Sequence, residues 1–214
     1  MLEAQIDGWN VIILGKWNPA IFSPQWVGQH VFEGEEMEVE FPITPGLSPR
    51  YKAGRVMITL QGDRLLVKPL QTDDESMRSA EQKAVRILDC LPHTPVRAVG
   101  INFRYVESQP ANGLSRMFEF ADSDRIREFG YDKDCVEILR HLDKDNAKLT
   151  FKMSQSSDGS LILDFNHHSD VLDAVMAREV IREHVVERCS QTTEFITGVC
   201  NLSMAEVDHG SDRL

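Results

Sequence analysis

The sequence lacks a hydrophobic run long enough to cross a membrane as a helix. Such a helix needs roughly 20 apolar residues, whereas the longest runs here, such as Val11–Leu14, have the length of a strand. The first residues also lack the basic start and apolar stretch that are typical of a secretory signal. We therefore expect a cytoplasmic protein that has no membrane as a partner.

Cysteine is scarce, and its spacing is irregular. The four cysteines are Cys90, Cys135, Cys189 and Cys200, and they form no Cys-x-x-Cys pair. Structural zinc sites and disulfide frameworks need closer and more regular spacing. We therefore expect free thiols, with Cys90 and Cys189 buried near the ends of two predicted helices.

The sequence also lacks an excess of positive charge, since its formal net charge is −11. Proteins that bind nucleic acid present clusters of lysine and arginine, which displace counterions from phosphate. Here the basic residues are interleaved with acidic ones, as in the pair Arg178-Glu179. We therefore expect neither nucleic acid nor an anionic membrane surface as a partner.

The short motifs that accompany common enzymatic chemistry are missing. The sequence contains neither of the glycine-rich phosphate loops, Gly-x-x-x-x-Gly-Lys-Ser/Thr and Gly-x-Gly-x-x-Gly. It also lacks the Gly-x-Ser-x-Gly turn that presents a serine nucleophile. These absences predict no cofactor, and they favour a function other than catalysis.

One order of elements occurs twice in the sequence. A predicted hairpin at 55–70 precedes an amphipathic helix at about 73–91, and a hairpin at 148–165 precedes a helix at about 170–189. Each hairpin strand alternates apolar and polar residues, and each helix carries one apolar stripe with a period of about 3.6 residues. The pattern predicts an α+β fold, in which a curved antiparallel sheet has two long helices on one face.

The doubled order also bears on domain organisation. We expect a single domain over 1–202, made of two repeats at about 8–95 and 96–202, followed by a polar tail at 203–214. A true duplication and a chance recurrence of common elements both remain open. The order of elements resembles the TATA-binding-protein-like and helix-grip architectures, and this resemblance implies nothing about DNA.

Several further elements follow from local signals. Ser23 and Pro24 are typical of a helix start, as N-cap and first helical residue. Thr72 and Glu75 have the spacing of a capping box before the first long helix. Apolar spacing over 132–142 predicts a helix, and 193–202 could continue the last helix or form a strand, which we favour.

The segment Arg97–Tyr105 is the clearest alternating strand. Within it, Val99–Val106 reads Val-Gly-Ile-Asn-Phe-Arg-Tyr-Val. This segment resembles the Val-Gly-Leu-Arg-Tyr-Ile strand of a sporadically distributed family of uncharacterised bacterial proteins, although Asn102-Phe103 interrupts the motif. The resemblance implies no activity and no site residues.

The densest group of metal-ligand side chains lies at 164–173. His168, Asp170 and Asp164 share one side of an extended chain, and imidazole and carboxylate groups are good ligands for a divalent metal. These three are our candidate metal ligands. The alternative is a polar turn in which Ser169 or Asp170 caps the following helix.

All three tryptophans lie in the first 26 residues. Trp9, Trp17, Phe22 and Trp26 could form an exposed edge that binds a partner, because tryptophan is enriched at the centres of protein interfaces. The alternative is that they fill the core at one end of the sheet.

Two functions follow. The first is a non-enzymatic interaction or scaffold protein that self-associates as a homo-oligomer, through a sheet edge or the N-terminal aromatic residues. The second is a metal-dependent hydrolase or small-ligand-binding protein with a site near Asp164–Asp173.

Overall fold

The computed structural model describes residues 1–44, 48–108, 120–131, 136–144, 147–155 and 159–205. The strands in these ranges are β1 (Glu3–Ala4), β2 (Asn10–Gly15), β3 (Glu38–Glu40), β4 (Arg50–Ala53), β5 (Val56–Gln61), β6 (Arg64–Pro69), β7 (Val96–Glu107), β8 (Val136–Lys144), β9 (Ala147–Gln155) and β10 (Leu161–Asp170). The helices are α1 (Pro24–His30), α2 (Asp74–Cys90), α3 (Ser123–Glu128), α4 (Ala174–Ile181) and α5 (Val185–Gly198), and a short 3₁₀ turn spans Ile6–Gly8.

The described strands form one curved antiparallel sheet in the order β3-β4-β5-β6-β2-β7-β10-β9-β8, and β1 pairs with β7. This arrangement confirms the predicted α+β class. The two halves of the sheet, β2-β6-β5-β4 and β7-β10-β9-β8, follow the same order from the centre outwards. That they are copies of one duplicated unit stays a prediction.

The helices α2, α4 and α5 lie on one face of the sheet, as alternation along the strands shows. In β10, Leu161, Leu163, Phe165 and His167 are buried, whereas the residues between them are partly exposed. The predicted stripe of α2 provides the other half of this core. Its buried apolar residues are Met77, Ala80, Ala84, Ile87 and Leu88.

The N-terminal ends of α1 and α2 test two of the capping signals that were predicted from the sequence. The Ser23 side chain accepts a hydrogen bond from the Trp26 amide at 3.2 Å, and Pro24 is the first helical residue, as predicted. The predicted capping box before α2 is wrong. Asp73 caps this helix by accepting from the Ser76 amide at 2.8 Å, while Glu75 pairs with Arg55.

The helix predicted at 132–142 is wrong over its described part, because residues 136–144 form strand β8. Apolar residues at 138, 139 and 142 fit a helical stripe, but each residue of β8 instead lies opposite a residue of β9. Pairing with the neighbouring strand β9 therefore outweighs the helical spacing of these apolar residues. Residues 132–135 lie outside the described residues.

The second long helix is two helices, not one. Strand β10 continues to Asp170, and Asp173 caps α4 by accepting from the Met176 amide at 2.8 Å, so the predicted caps at Ser169 and Asp170 are wrong. Glu183 separates α4 from α5 with a φ of 63°. Helix α5 then continues to Gly198, which also corrects the strand favoured at 193–202.

A side chain from α2 stabilises the start of α5. The two Glu81 carboxylate oxygens accept from the Glu183 amide at 2.8 Å and the Val185 amide at 3.0 Å. The N-cap residue of α5, His184, makes no capping bond with its own side chain. Glu81 therefore satisfies amide groups that would otherwise lack partners at this helix end.

Three further expectations concern the cysteines, the C-terminal tail and membrane-spanning helices. Cys90 is exposed rather than buried, whereas Cys189 and Cys200 are half-buried free thiols, and Cys135 lies outside the described ranges. The start of the expected tail is ordered, because the Leu2 amide donates to the Ser203 carbonyl at 3.0 Å. Among the helices of the described segments, none has the length and apolar composition of a bilayer span.

Candidate functional site

The side of the sheet opposite α2, α4 and α5 is lined with polar side chains. We call it the open face, and its centre is a shallow groove of about 350 Å³. The groove is lined chiefly by Asn10, Ile12, Asn102, Arg104, Leu139, Thr150, Lys152, Asp164 and Asn166. These residues belong to strands β2, β7, β8, β9 and β10, so the groove spans the middle and one end of the sheet.

One row of polar residues crosses five strands of the open face. The strand register places Asn10 opposite Asn102, Asn102 opposite Asn166, Asn166 opposite Thr150, and Thr150 opposite His141. We call these five residues the amide row. Its three asparagines lie far apart in the chain and come together only because the register aligns them.

The contacts within the amide row are incomplete. Asn102 Nδ2 donates to Asn10 Oδ1 at 2.9 Å, and His141 Nδ1 lies 3.2 Å from Thr150 Oγ1. Between these two pairs, Asn166 Oδ1 is buried and has no hydrogen-bond partner in the described structure. A buried acceptor without a partner costs free energy, so Asn166 is the position in the row where a bound group could contribute a donor.

Two glycines shape the surroundings of the row. A Cβ at Gly100 would lie 3.1 Å from Asn166 Oδ1, so the glycine leaves room for that amide. A Cβ at Gly8 would lie 2.2 Å from Arg104 Cβ, which is closer than two non-bonded carbon atoms can approach. Gly8 therefore lets the N-terminal 3₁₀ turn rest directly on the Arg104 side chain.

The charges beside the amide row are paired. Arg104 donates to both oxygens of Asp164, at 2.5 and 3.1 Å, and Lys152 contacts Glu137 at 2.5 Å. Lys68 contacts Asp7 at 2.6 Å, and its hydrogen bond holds the pKa of the Asp7 carboxyl below its usual value. The basic groups near the groove are thus already neutralised by carboxylates.

The three predicted metal ligands share the open face of β10 but do not form one site. Asp164 is bound by Arg104, whereas Asp170 accepts from Lys148 at 2.6 Å and lies 3.1 Å from His168 Nε2. Residues four apart on a strand are separated by roughly 13 Å, so Asp164 cannot join the other two at one ion. In the parts of the chain with described positions, no three His, Cys, Asp or Glu side chains cluster closely enough to hold a metal.

The alternative interpretation of these residues as a polar turn is also wrong, because Asn166–Asp170 is the end of a strand. The Lys148 ammonium, followed by the His168 contact, holds the pKa of the Asp170 carboxyl below its usual value. This end of β10 is therefore a small ionic cluster, in which the lysine neutralises the carboxylate.

The N-terminal aromatic residues are mostly part of the core. Trp9, Trp17 and Phe22 are buried, and both indole groups donate to backbone carbonyls, at Arg104 for Trp9 and Ile13 for Trp17. Of the four candidates, only Trp26 is partly exposed. The alternative in which these residues fill the core therefore describes three of them.

The outer edge of β8 is a feature that the sequence reasoning missed. This strand is nine residues long and pairs with β9 on one side, and no strand of the described chain pairs with its other side. On its open face Leu139 is 56% exposed, between the exposed residues Glu137 and His141. The available signal was the short alternation of apolar and polar residues from 136 to 138, and the apolar spacing of a helix concealed it.

Comparison of the chain with protein-family models gave no match, and neither did comparison with curated proteins.

Proposed function

We propose that the protein is a non-enzymatic interaction protein that self-associates, and that two copies meet along the outer edge of β8. The observation that carries this proposal is the outer side of that nine-residue strand, with which no strand of the described segments pairs. An edge strand presents a row of backbone N–H and C=O groups, which readily pair with a strand of another chain. The exposed Leu139 adds an apolar contact on the same edge.

The two ends of the sheet differ in how they resist such pairing. Strand β3, at the opposite end, has three residues, two of which are glutamates, and Glu40 is bound by Lys52. Short and charged edge strands are a common protection against pairing between molecules. Strand β8 is three times as long and carries an exposed leucine, so it has less of this protection.

The other route to self-association, through the N-terminal aromatic residues, has less support. Trp9, Trp17 and Phe22 contribute to the core and offer little surface to a partner. Trp26 is partly exposed, but its ring packs against His30 with centroids 5.4 Å apart.

The proposal includes a cytoplasmic location and a protein partner rather than nucleic acid or a membrane surface. The half-buried free thiols Cys189 and Cys200 fit a reducing compartment. Nucleic acid is disfavoured by the net charge of −11 and by the carboxylates that already neutralise Arg104, Lys152 and Lys68 on the open face.

The test is the mass of the full chain in solution, measured by sedimentation equilibrium over a range of concentrations. We expect a dimer of twice the 24.3 kDa chain mass. Leu139→Lys places two like charges at the interface, and it should raise the dimer Kd about tenfold or more. A wild-type chain that stays monomeric at the highest concentrations would contradict the proposal.

The matched control is Leu172→Lys. Leu172 is 87% exposed and lies between β10 and α4, outside the strand that forms the proposed edge. The same substitution there should leave the dimer Kd unchanged, because this residue is not part of the proposed edge. Equal effects of the two variants would show that added charge alone, and not the β8 edge, controls association.

A small-ligand-binding function is the second candidate, and Asn166 is the observation that favours it. Its Oδ1 atom is buried without a described partner beside a groove of about 350 Å³, which is at the small end of ligand sites. Native mass spectrometry of the protein purified from cells should then show a bound small molecule that Asn166→Val abolishes.

A further inference from the structure

We propose that the β8 strands of two copies pair antiparallel, in the register that sets Leu139 opposite Leu139 of the second copy and Glu137 opposite His141. This inference rests on the proposed function, since it names the partner and the register of the same edge. It goes further by predicting which side chains meet and therefore which pairs of variants recognise each other.

Symmetry restricts the possible registers. Two identical edges that pair antiparallel are related by a twofold axis perpendicular to the sheet, so the open faces of both copies lie on the same side. Directly opposite residues then share a face, as they do in any antiparallel pair. On β8, Glu137, Leu139, His141 and Asp143 share the open face, because their partners on β9 include Thr150 and Lys152.

The neighbouring registers bring unfavourable pairs together. Centring the pair on Arg140 places this arginine opposite itself and Glu137 opposite Asp143, so both pairs carry like charges. Centring it on His141 places Leu139 opposite Asp143, which leaves the leucine beside a carboxylate. Centring it on Ile138 shortens the contact to five residues of β8 and sets Leu139 opposite Glu137.

The register centred on Leu139 avoids like-charge pairs and keeps Leu139 away from a carboxylate, while on the other face it sets Ile138 opposite Arg140. It buries the most exposed leucine of β8 against its own copy at the twofold axis. On each side of the axis, Glu137 meets His141, and on the other face Val136 meets Leu142, both of which are half-buried in the single chain. Seven consecutive residues of each strand, 136–142, are then paired.

The existing contacts of Glu137 and His141 orient both groups for this pair. His141 Nδ1 lies 3.2 Å from Thr150 Oγ1, which leaves the Nε2 atom on the far side of the ring available. Glu137 Oε1 contacts Lys152 at 2.5 Å, which leaves a second carboxylate oxygen as an acceptor. The Glu137–His141 contact between copies can therefore form without breaking either internal contact.

The test is a charge exchange between two variants of the full chain. Glu137→Lys sets a lysine opposite His141, and His141→Glu sets two carboxylates opposite each other, so each homodimer should weaken about tenfold. In the mixed dimer, the introduced lysine meets the introduced glutamate, and the native pair forms on the other side of the axis. We expect native mass spectrometry of an equimolar mixture, with one variant isotopically labelled, to show the mixed dimer in large excess.

The control is Glu38→Lys on β3, which makes the same change in charge at the other edge of the sheet. Mixed with His141→Glu, it should give no preference for the mixed dimer. A wild-type dimer whose charge-exchange variants show no mutual preference would overturn the register and leave self-association intact. A wild-type chain without any dimer would overturn the proposed function itself.

A second variant tests the register without changing charge. Antiparallel partners have Cα atoms about 4.5–5.5 Å apart, which lies within the range that a disulfide spans. Leu139→Cys should therefore give a covalent dimer on mild oxidation, because this residue opposes itself only in the proposed register. Leu142→Cys should not, and an equal yield from the two variants would overturn the register.

Discussion

His167 Nε2 lies 2.8 Å from Thr192 Oγ1, and this hydrogen bond joins β10 to α5 inside the core. The Thr192 hydroxyl donates its only hydrogen to the Arg188 carbonyl at 2.8 Å, so it must accept from His167. The Nε2 atom of His167 therefore carries a proton. Burial, together with the nearby Arg188 charge, lowers the pKa of His167 to about 4.

This arrangement predicts that the protein loses stability as the pH falls below neutrality. In the unfolded chain His167 binds a proton with an ordinary pKa near 6.5, whereas in the folded chain it binds the proton only near pH 4. The stability that depends on a neutral His167 is fully present above pH 6.5 and is lost as the pH falls. This loss should lower the free energy of unfolding by about 2 kcal/mol between pH 7 and pH 5. Urea denaturation at the two pH values measures this change.

The comparison for this prediction is between two neighbouring histidines. His167→Gln should remove most of the difference in unfolding free energy between the two pH values. His168→Gln should retain it, because His168 is on the open face and partly exposed. Equal pH dependence in the two variants would mean that the buried histidine is not its source.

Glu81 is predicted to stabilise the fold from a distance in sequence. Glu81→Ala should lower the free energy of unfolding by about 1–2 kcal/mol, because the amides of Glu183 and Val185 lose their acceptor at the start of α5. Glu75→Ala, on the same helix, removes only an exposed ion pair with Arg55 and should cost less than about 1 kcal/mol. Thermal or urea unfolding of the two variants distinguishes a cap from a surface charge.

Two asparagines of the amide row, on the adjacent strands β10 and β7, should respond in opposite ways when each is replaced by valine. Asn166→Val removes a buried acceptor without a partner and adds a β-branched side chain to a strand, so it should raise the free energy of unfolding by about 1 kcal/mol. Asn102→Val removes the donor to Asn10 Oδ1 and should lower it by a similar amount. Urea unfolding measures both, and destabilisation by both variants would argue that Asn166 has an unseen partner in the folded chain.

Many elements were predictable because their signals are local. The stripe of α2, the cap at Ser23 and the alternating strand around Val99 each depend on residues within a few positions of one another. The elements that were mispredicted depend on distant partners. Strand β8 is extended because β9 pairs with it, and α5 begins where Glu81 of another helix supplies an acceptor.

The candidate sites show the same division. The clusters visible in the sequence, Asp164–Asp170 and the N-terminal aromatic residues, proved to be ion-paired or mostly buried. The amide row was invisible, because its asparagines lie on three strands that are remote in sequence. Nothing local to Asn10, Asn102 or Asn166 indicates that they align.

The sequence by itself determined the α+β class, since periods of two and 3.6 residues select strands and helices locally. It also determined a large negative charge and the absence of familiar catalytic motifs. Only the tertiary structure decided which strand became the unprotected edge and which polar residues met on the open face. Both depend on strand order and register, which are set by packing between distant segments rather than by any short stretch of the chain.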